Sequence, residues 1–191
     1  MANQDLYDLL SRTGNPNGWI KNHQLDNFFN LPKLAELSQK SLSQSTVLDV
    51  GCGTGELYLF LQSFEILEYW GVDIYQPSLE KARREKPTAI FLNIDILPEE
   101  LPLFDYVFAS GSLSARIDDN YSFLEQMISR MDKLAKKGVY FNFLTANNWS
   151  ADNLLFFYEP KIVKDICVRN SQRRMLFENN HAREEGHIFL Y

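Results

Sequence analysis

Val47-Leu48-Asp49-Val50-Gly51-Cys52-Gly53-Thr54-Gly55 sets the architecture of the whole chain. Residues 47–50 form a short run of apolar and β-branched side chains that stops at a glycine, the pattern of a buried strand. The glycines make a turn, and Glu56 to Phe64 then carries apolar residues at helical spacing. A strand, a glycine turn and a helix in that order place the turn at the carboxyl edge of a parallel sheet, where such sheets bind ligands. Glycine allows backbone conformations closed to other residues and lets a ligand approach the main chain, and the helix that follows supplies free N–H groups.

The alternation continues on the C-terminal side. Tyr69 to Asp73 reads as a second strand, with a helix from Pro77 to about Glu85, and Ala89 to Asn93 as a third strand. Tyr106 to Ala109 is the fourth; Asn120 to Lys136 is a helix stopped by Gly138, and Val139 to Leu144 is the fifth. Pro160 opens a last helix to about Val168, and Arg174 to Glu178 with Ile188 to Tyr191 can pair as an antiparallel hairpin. Parallel strands need crossovers, and the crossover helices cover both faces of the sheet. Only Ile96 to Leu103 separates the third unit from the fourth; that piece is too short for a crossover helix, and Pro98 and Pro102 favour extended chain or a single turn. Upstream, Asn3 to Arg12 and Leu25 to Lys40 read as helices around a loop at Thr13 to Gly18, the second broken near Leu31-Pro32.

With 191 residues the expectation is one domain over 1–191, a helical cap at 1–44 on a core at 45–191. The 26 aromatic residues suffice for a large core. A net charge of −6 argues against gripping a nucleic acid over a long surface. Cys52 and Cys167 are too few for a disulfide framework or a zinc cluster and fit a reducing cytoplasm. Met1 to Leu10 does not read as a secretory signal, and no window holds 18 uninterrupted apolar residues, so no membrane span is expected.

Two acids give the glycine turn its meaning. Asp73 ends the second strand, where a carboxylate can accept hydrogen bonds from both hydroxyls of a ribose. Asp95 follows the third strand and can accept a bond from an adenine amino group, with Ile74 and Ile96 as apolar walls. A dinucleotide fingerprint would need a third glycine at position 56, which is Glu56. Together with Asp49, that carboxylate favours a cation over a pyrophosphate, the character of S-adenosylmethionine with its ribose, adenine and sulfonium.

Residues 47–55, Gly71-Val72-Asp73-Ile74, Asn93-Ile94-Asp95-Ile96 and Phe104 to Gly111 together resemble the motifs of the class I S-adenosylmethionine-dependent methyltransferases. The terminal hairpin is similar to the sixth and seventh strands of that family. The resemblance covers about residues 45 to 191 and is closer to small bacterial members of unassigned substrate. It implies a Rossmann-like, seven-stranded, mostly parallel sheet with helices on both faces and an antiparallel C-terminal hairpin. It also implies that the loop with Gly51, Cys52, Gly53 and Gly55 passes beneath the methionine part, that Asp73 holds the ribose and Asp95 meets the adenine, and that Asp49 lies near the methionine amino group. The short segment after Asp95 departs from the family and leaves the depth of the adenine pocket open.

Methyl transfer needs donor and acceptor held in line and water excluded, with a base only if the acceptor carries a proton at attack. No catalytic residue is nominated for that reason. Ser110, Gly111, Ser112 and Leu113 follow the fourth strand and would border the methyl; they lack the Pro-Pro-aromatic element of amino methyltransferases acting on DNA bases. Cys52 lacks the context of a cytosine nucleophile and reads as a small turn residue. For the acceptor, Trp19 and the aromatic stretch Asn147 to Tyr158 are candidates for a cover, with Trp19, Ser112 and Tyr158 as contacts, packed core being the alternative. His23, His181 and His187 are too scattered to suggest a metal. Lys161, Lys164, Arg169, Arg173 and Arg174 form a basic cluster, either solvated surface or a handle for an anionic acceptor. The expected function is methyl transfer from S-adenosylmethionine, with S-adenosylhomocysteine as product, to a small molecule. A noncatalytic S-adenosylmethionine-binding protein, a protein or RNA methyltransferase and a nicotinamide-dependent oxidoreductase stand as alternatives.

Overall fold

The computed structural model describes residues 21–145 and 154–191. Its seven strands are β1 (Thr46–Val50), β2 (Glu68–Asp73), β3 (Ile90–Asn93), β4 (Phe104–Ala109), β5 (Ala135–Leu144), β6 (Met175–Asn180) and β7 (Glu185–Leu190). They lie in one sheet in the order β3-β2-β1-β4-β5-β7-β6. β1 to β5 are parallel, and β7 inserts antiparallel between β5 and β6. The helices among the described residues are α1 (Lys21–Phe28), α2 (Asn30–Leu37), α3 (Glu56–Leu61), α4 (Gln76–Glu85), α5 (Asn120–Leu134) and α6 (Pro160–Asn170). The Rossmann-like sheet with its antiparallel hairpin is the architecture the motifs imply.

Alternating side chains divide the core between the two faces of the sheet. Leu48, Val50, Val107, Phe141 and Ile188 pack with Leu124, Ile128 and Met131 of α5 and Val163 and Ile166 of α6. Val47, Tyr69, Phe108, Tyr140 and Phe189 pack on the opposite face with Leu31 and Leu34 of α2, Leu57 of α3 and Leu79 of α4. Each such fully buried side chain contributes about 1.5–3 kcal/mol of apolar transfer free energy.

Several boundaries differ from the sequence reading, each for a local reason. The helix expected to Lys136 stops at Leu134, because Ala135 turns to an extended backbone (φ −92°, ψ 131°) and begins β5. Gly138 is therefore no helix cap. It lies inside β5, where a Cβ would sit 2.9 Å from Leu34 Cδ1, so the missing side chain lets α2 close on the sheet. The N-terminal helical run breaks at Phe29 rather than at Leu31-Pro32. Pro32 falls in the first turn of α2, where no intrahelical partner for an N–H is needed. α3 ends at Leu61 and tightens into a 3-10 turn over Gln62–Phe64. The expected helix at Asn3 to Arg12 and the loop at Thr13 to Gly18 lie outside the described residues.

The β3-to-β4 connection has no helix, as its length requires. Ile96 is buried, and Leu97 and Leu101 rest on the α5 side of the core. Arg130 of α5 holds the connection by its main chain, donating from Nε to Ile96 O at 2.9 Å and from its terminal nitrogen to Glu99 O.

Candidate functional site

β1, β2 and β4 end side by side, and their last residues are tied together by main-chain hydrogen bonds. The N–H groups of Gly51 and Cys52 donate to Val72 O at 2.8 and 3.1 Å, drawing the glycine turn over the end of β2. The Gly53 N–H then donates to Asp73 Oδ2 at 2.8 Å, while the Tyr75 N–H donates to Asp73 Oδ1 at 2.8 Å. Burial raises the Asp73 pKa from its ordinary value, and the backbone donors Tyr75, Gly53 and Ile74 oppose that rise. From the other side Ser112 donates to Val50 O at 2.9 Å. Gly51 has φ +73°, and a Cβ there would stand 2.2 Å from Ser112 Cβ. The glycine lets two loops meet.

Between them lies a cleft of about 120 Å³. Gly51, Asp73, Ile74, Asp95, Ile96, Ser112 and Leu113 all line it, so seven of the residues singled out from the sequence share one opening. Ile74 is 49% exposed, an apolar side chain offered to whatever enters. Asp95 accepts a hydrogen bond from its own turn, Leu97 N–H to Oδ1 at 3.0 Å. Ile94, Phe123 and Met127 complete the apolar wall. The α5 pair was not singled out, although spacing by four marks the two as one face of that helix. They stand where a crossover helix is missing.

Other expected contacts lie elsewhere. Asp49 sits on the opposite face of the sheet, 4% exposed, and accepts a 2.7 Å hydrogen bond from the Tyr69 hydroxyl. Burial pushes its pKa up to about 7, the Tyr69 bond opposes that rise, and the charge of Asp73 adds to it. The Cys52 thiol is pushed well up, first by burial and then by Asp49 and Asp73, so it is no nucleophile. Gly53 and Gly55 do not line the cleft: the first holds Asp73, and the second, at φ +78°, caps α3. Ser110, at the end of β4, buries its Oγ without a hydrogen-bond partner. Its neighbour Gly111 donates from N–H to Asn142 Oδ1 at 2.7 Å.

Two expectations need correction. Tyr158 is 1% exposed and belongs to the core, where its hydroxyl donates to Leu113 O at 2.8 Å; burial pushes its pKa up to about 12. It braces the β4 loop from below rather than facing a ligand. Glu56 turns its carboxylate to Lys86, whose Nζ is 3.2 Å away, 2.9 Å from Thr54 O, and almost fully buried. That lysine, missed in the sequence because it sits in an ordinary charged run, secures the glycine turn from behind. Of the acids near the turn, Asp73 and Asp95 are the two that line the cleft.

Trp19 and residues 147–153 lie outside the described residues. The basic cluster is engaged in surface contacts: Lys161 with Asp165, Arg169 with Glu125, Arg173 with Asp132, and Lys164 and Arg174 over the rings of Phe177 and Tyr191. Among the described residues no group of three His, Cys, Asp or Glu is placed to hold a metal ion, and no helix is long and apolar enough to cross a membrane.

Residues 48–141 match a family model described as a methyltransferase domain. No curated protein matches the chain. Among solved structures, magnesium protoporphyrin IX methyltransferase from Synechocystis, determined with bound S-adenosylmethionine, superposes with a TM-score of 0.71 at 18% identity, covering 99% of this chain and 96% of that one. An S-adenosylmethionine-dependent methyltransferase from Clostridium acetobutylicum gives 0.69 at 15% identity over 97% and 96%. The N-methyltransferase NodS from Bradyrhizobium japonicum, in complex with S-adenosylhomocysteine, gives 0.63 at 16% identity over 86% and 84%. At these identities the likeness is one of fold.

Proposed function

We propose that the chain is a class I S-adenosylmethionine-dependent methyltransferase, a reading its domain match and its fold support, and that it binds the cofactor at Gly51, Asp73 and Asp95 and methylates a small molecule. The observation that carries this reading is the convergence of Gly51, Asp73, Ile74, Asp95 and Ile96 on one cleft at the carboxyl edge of the parallel strands. The residues present fit the cofactor. The two Asp73 oxygens retain acceptor capacity beyond their backbone donors, and the buried Ser110 Oγ at the adjoining strand end lacks a partner.

In this reading Asp73 accepts the ribose hydroxyls, and Asp95 takes the adenine amino group while Ile74, Ile96 and Phe123 flank the ring. Gly51 brings bare main chain under the methionine part, and Cys52, Gly53 and Gly55 hold that turn in shape. Asp49, bonded to the Tyr69 hydroxyl on the opposite face, fixes the end of β1 beneath the turn. Ser110 and Ser112 border the methyl. When bound, the cofactor supplies a methyl on a sulfonium, already activated for displacement. The chain then contributes alignment and exclusion of water.

Calorimetry with S-adenosylmethionine and S-adenosylhomocysteine tests the cofactor half: saturable binding is expected, and its absence would reject the reading. Radiolabelled methyl donor offered with the protein to cell extract, fractionated into metabolites, proteins and nucleic acids, tests the acceptor half. Label in the metabolite fraction is expected; label in protein or RNA would reject a small-molecule acceptor, and binding without any transfer would point to a sensor.

A further inference from the structure

Beyond β4 the same edge of the sheet opens into a second cavity, of about 690 Å³, between α1, α2 and the β6-β7 hairpin. Among the described residues its walls carry Asn27, Asn30, Asn179 and Asn180 together with the charged Asp26, Glu178 and Arg183 and the imidazoles of His181 and His187, and no aliphatic side chain. Amide groups both donate and accept hydrogen bonds, and four of them around one space suit a ligand dense in hydroxyl or amine groups. A flat apolar acceptor would leave these groups dehydrated and unpaired.

The rim charges are already matched. Lys33 Nζ lies 2.6 Å from Glu178 Oε1, and Arg183 pairs with Asp26. Behind the wall the balance fails. Glu185 is 3% exposed, and its Oε2 accepts hydrogen bonds from the amides of Asn27 and Asn142, each at 3.3 Å. Among the described residues the one basic group within ion-pair reach is His187, with Nε2 3.7 Å away. Burial lowers the His187 pKa to about 4, and its Nδ1 bonds the Tyr140 hydroxyl at 2.8 Å, so at neutral pH it does not supply the missing positive charge. A buried carboxylate held by amides alone is costly unless a cation approaches it.

A hydrogen-bond path through Asn142 links the cavity wall to the proposed methyl site. Asn142, which binds Glu185, accepts the hydrogen bond from Gly111 N–H at the end of β4, and across the β5-β7 ladder it pairs with His187. Two strand spacings of about 4.8 Å put the cavity wall roughly 10 Å from that end, within reach of a small acceptor.

We propose that this cavity is the acceptor site and that the acceptor is a hydroxylated amine, its hydroxyls met by the asparagines and its positive charge drawn to Glu185. The proposal rests on the methyltransferase reading above. An ammonium bound this way loses its proton to water before attack. The nitrogen lone pair then forms the N–C bond as the C–S bond breaks, and the C–S electron pair leaves with sulfur as a neutral thioether.

The test uses the full chain saturated with S-adenosylhomocysteine and titrated with glucosamine, ethanolamine and, as the uncharged counterpart, glucose. Both amines are expected to bind more tightly than glucose, and Glu185→Gln to weaken amine binding at least tenfold, with glucose and S-adenosylhomocysteine affinities within twofold of wild type. Asn180→Trp, opposite Glu185 in the β6-β7 ladder, fills the cavity while leaving the Glu185 carboxylate in place and is expected to abolish amine binding, which keeps the test open if Glu185→Gln does not fold. Cofactor binding without amine binding, or amine affinity unchanged in either variant, would overturn this proposal alone. Failure of the wild-type chain to bind S-adenosylhomocysteine would overturn the function it rests on.

Discussion

The cleft at Asp73 and the cavity at His187 share one edge of one sheet, yet they are built in different ways. The cleft is made of a glycine turn, two strand-end acids and an apolar wall from residues 50–127, and most of its parts lie at or just after strand ends. The cavity is made of amides from α1, α2 and β6 around a histidine on β7, and the bond from Asn27 to Glu185 spans 158 residues. Backbone chemistry recurs at fixed offsets from a strand and can be specified locally. Side-chain amides have no such offset, so their convergence is a property of the tertiary fold.

The most severe way to break the cleft while sparing the cavity is Gly51→Val. The left-handed backbone costs a β-branched residue about 2 kcal/mol or more, and the overlap with Ser112 adds to that. Cofactor affinity should fall more than 100-fold by calorimetry, with a lower melting temperature.

The next effect is read as a pH profile. Asp49 has a native pKa of about 7 against an ordinary 3.8, so the folded state holds a proton that the unfolded state has released. Asp49 should therefore contribute a loss of stability to the cofactor-free protein of about 2–4 kcal/mol as pH rises from about 4 to 7, while His187, lowered to about 4, contributes a gain over much of the same window. The difference between wild type and Asp49→Asn in urea unfolding at pH 4, 5.5 and 7 isolates the Asp49 share, the variant gaining on wild type as pH rises. An unaltered slope would show that another group sets it.

Asp73→Asn separates recognition from folding. Losing the charged acceptor should cost about 1–3 kcal/mol of cofactor binding, measurable as a roughly tenfold or greater rise in Kd, while the amide oxygen can still accept the Gly53 N–H. The smallest effect belongs to a residue that serves neither opening directly. Tyr158→Phe removes the hydroxyl bond to Leu113 O and should cost about 1 kcal/mol of stability with cofactor affinity unchanged. A loss of affinity there would mean that the β4 loop depends on its underside.

The cofactor side was legible because its signals are local. The strand-turn-helix pattern at residues 46–61, the acid at the end of β2 and the helix-free connection after Asp95 all fall where the chain alone places them. The illegible parts needed neighbours. Gly138 looked like a helix stop until Leu34 stood over it, and Tyr158 looked like a ligand contact until Phe143, Phe156 and Tyr121 surrounded it. Glu56 reads as a free charge in the sequence and is paired by Lys86, thirty residues away. Glu185 and His187 carry no motif at all, since burial and a distant asparagine give them their meaning.

The placement of β7 also orders events during synthesis. β6 has no sheet neighbour except β7, which lies between it and β5. A nascent chain therefore keeps β6 unpaired until residues 185–190 have left the ribosome, whereas the strands around Gly51 and Asp73 can already have joined. The cleft at Asp73 can take shape while the wall of the second cavity is still being translated.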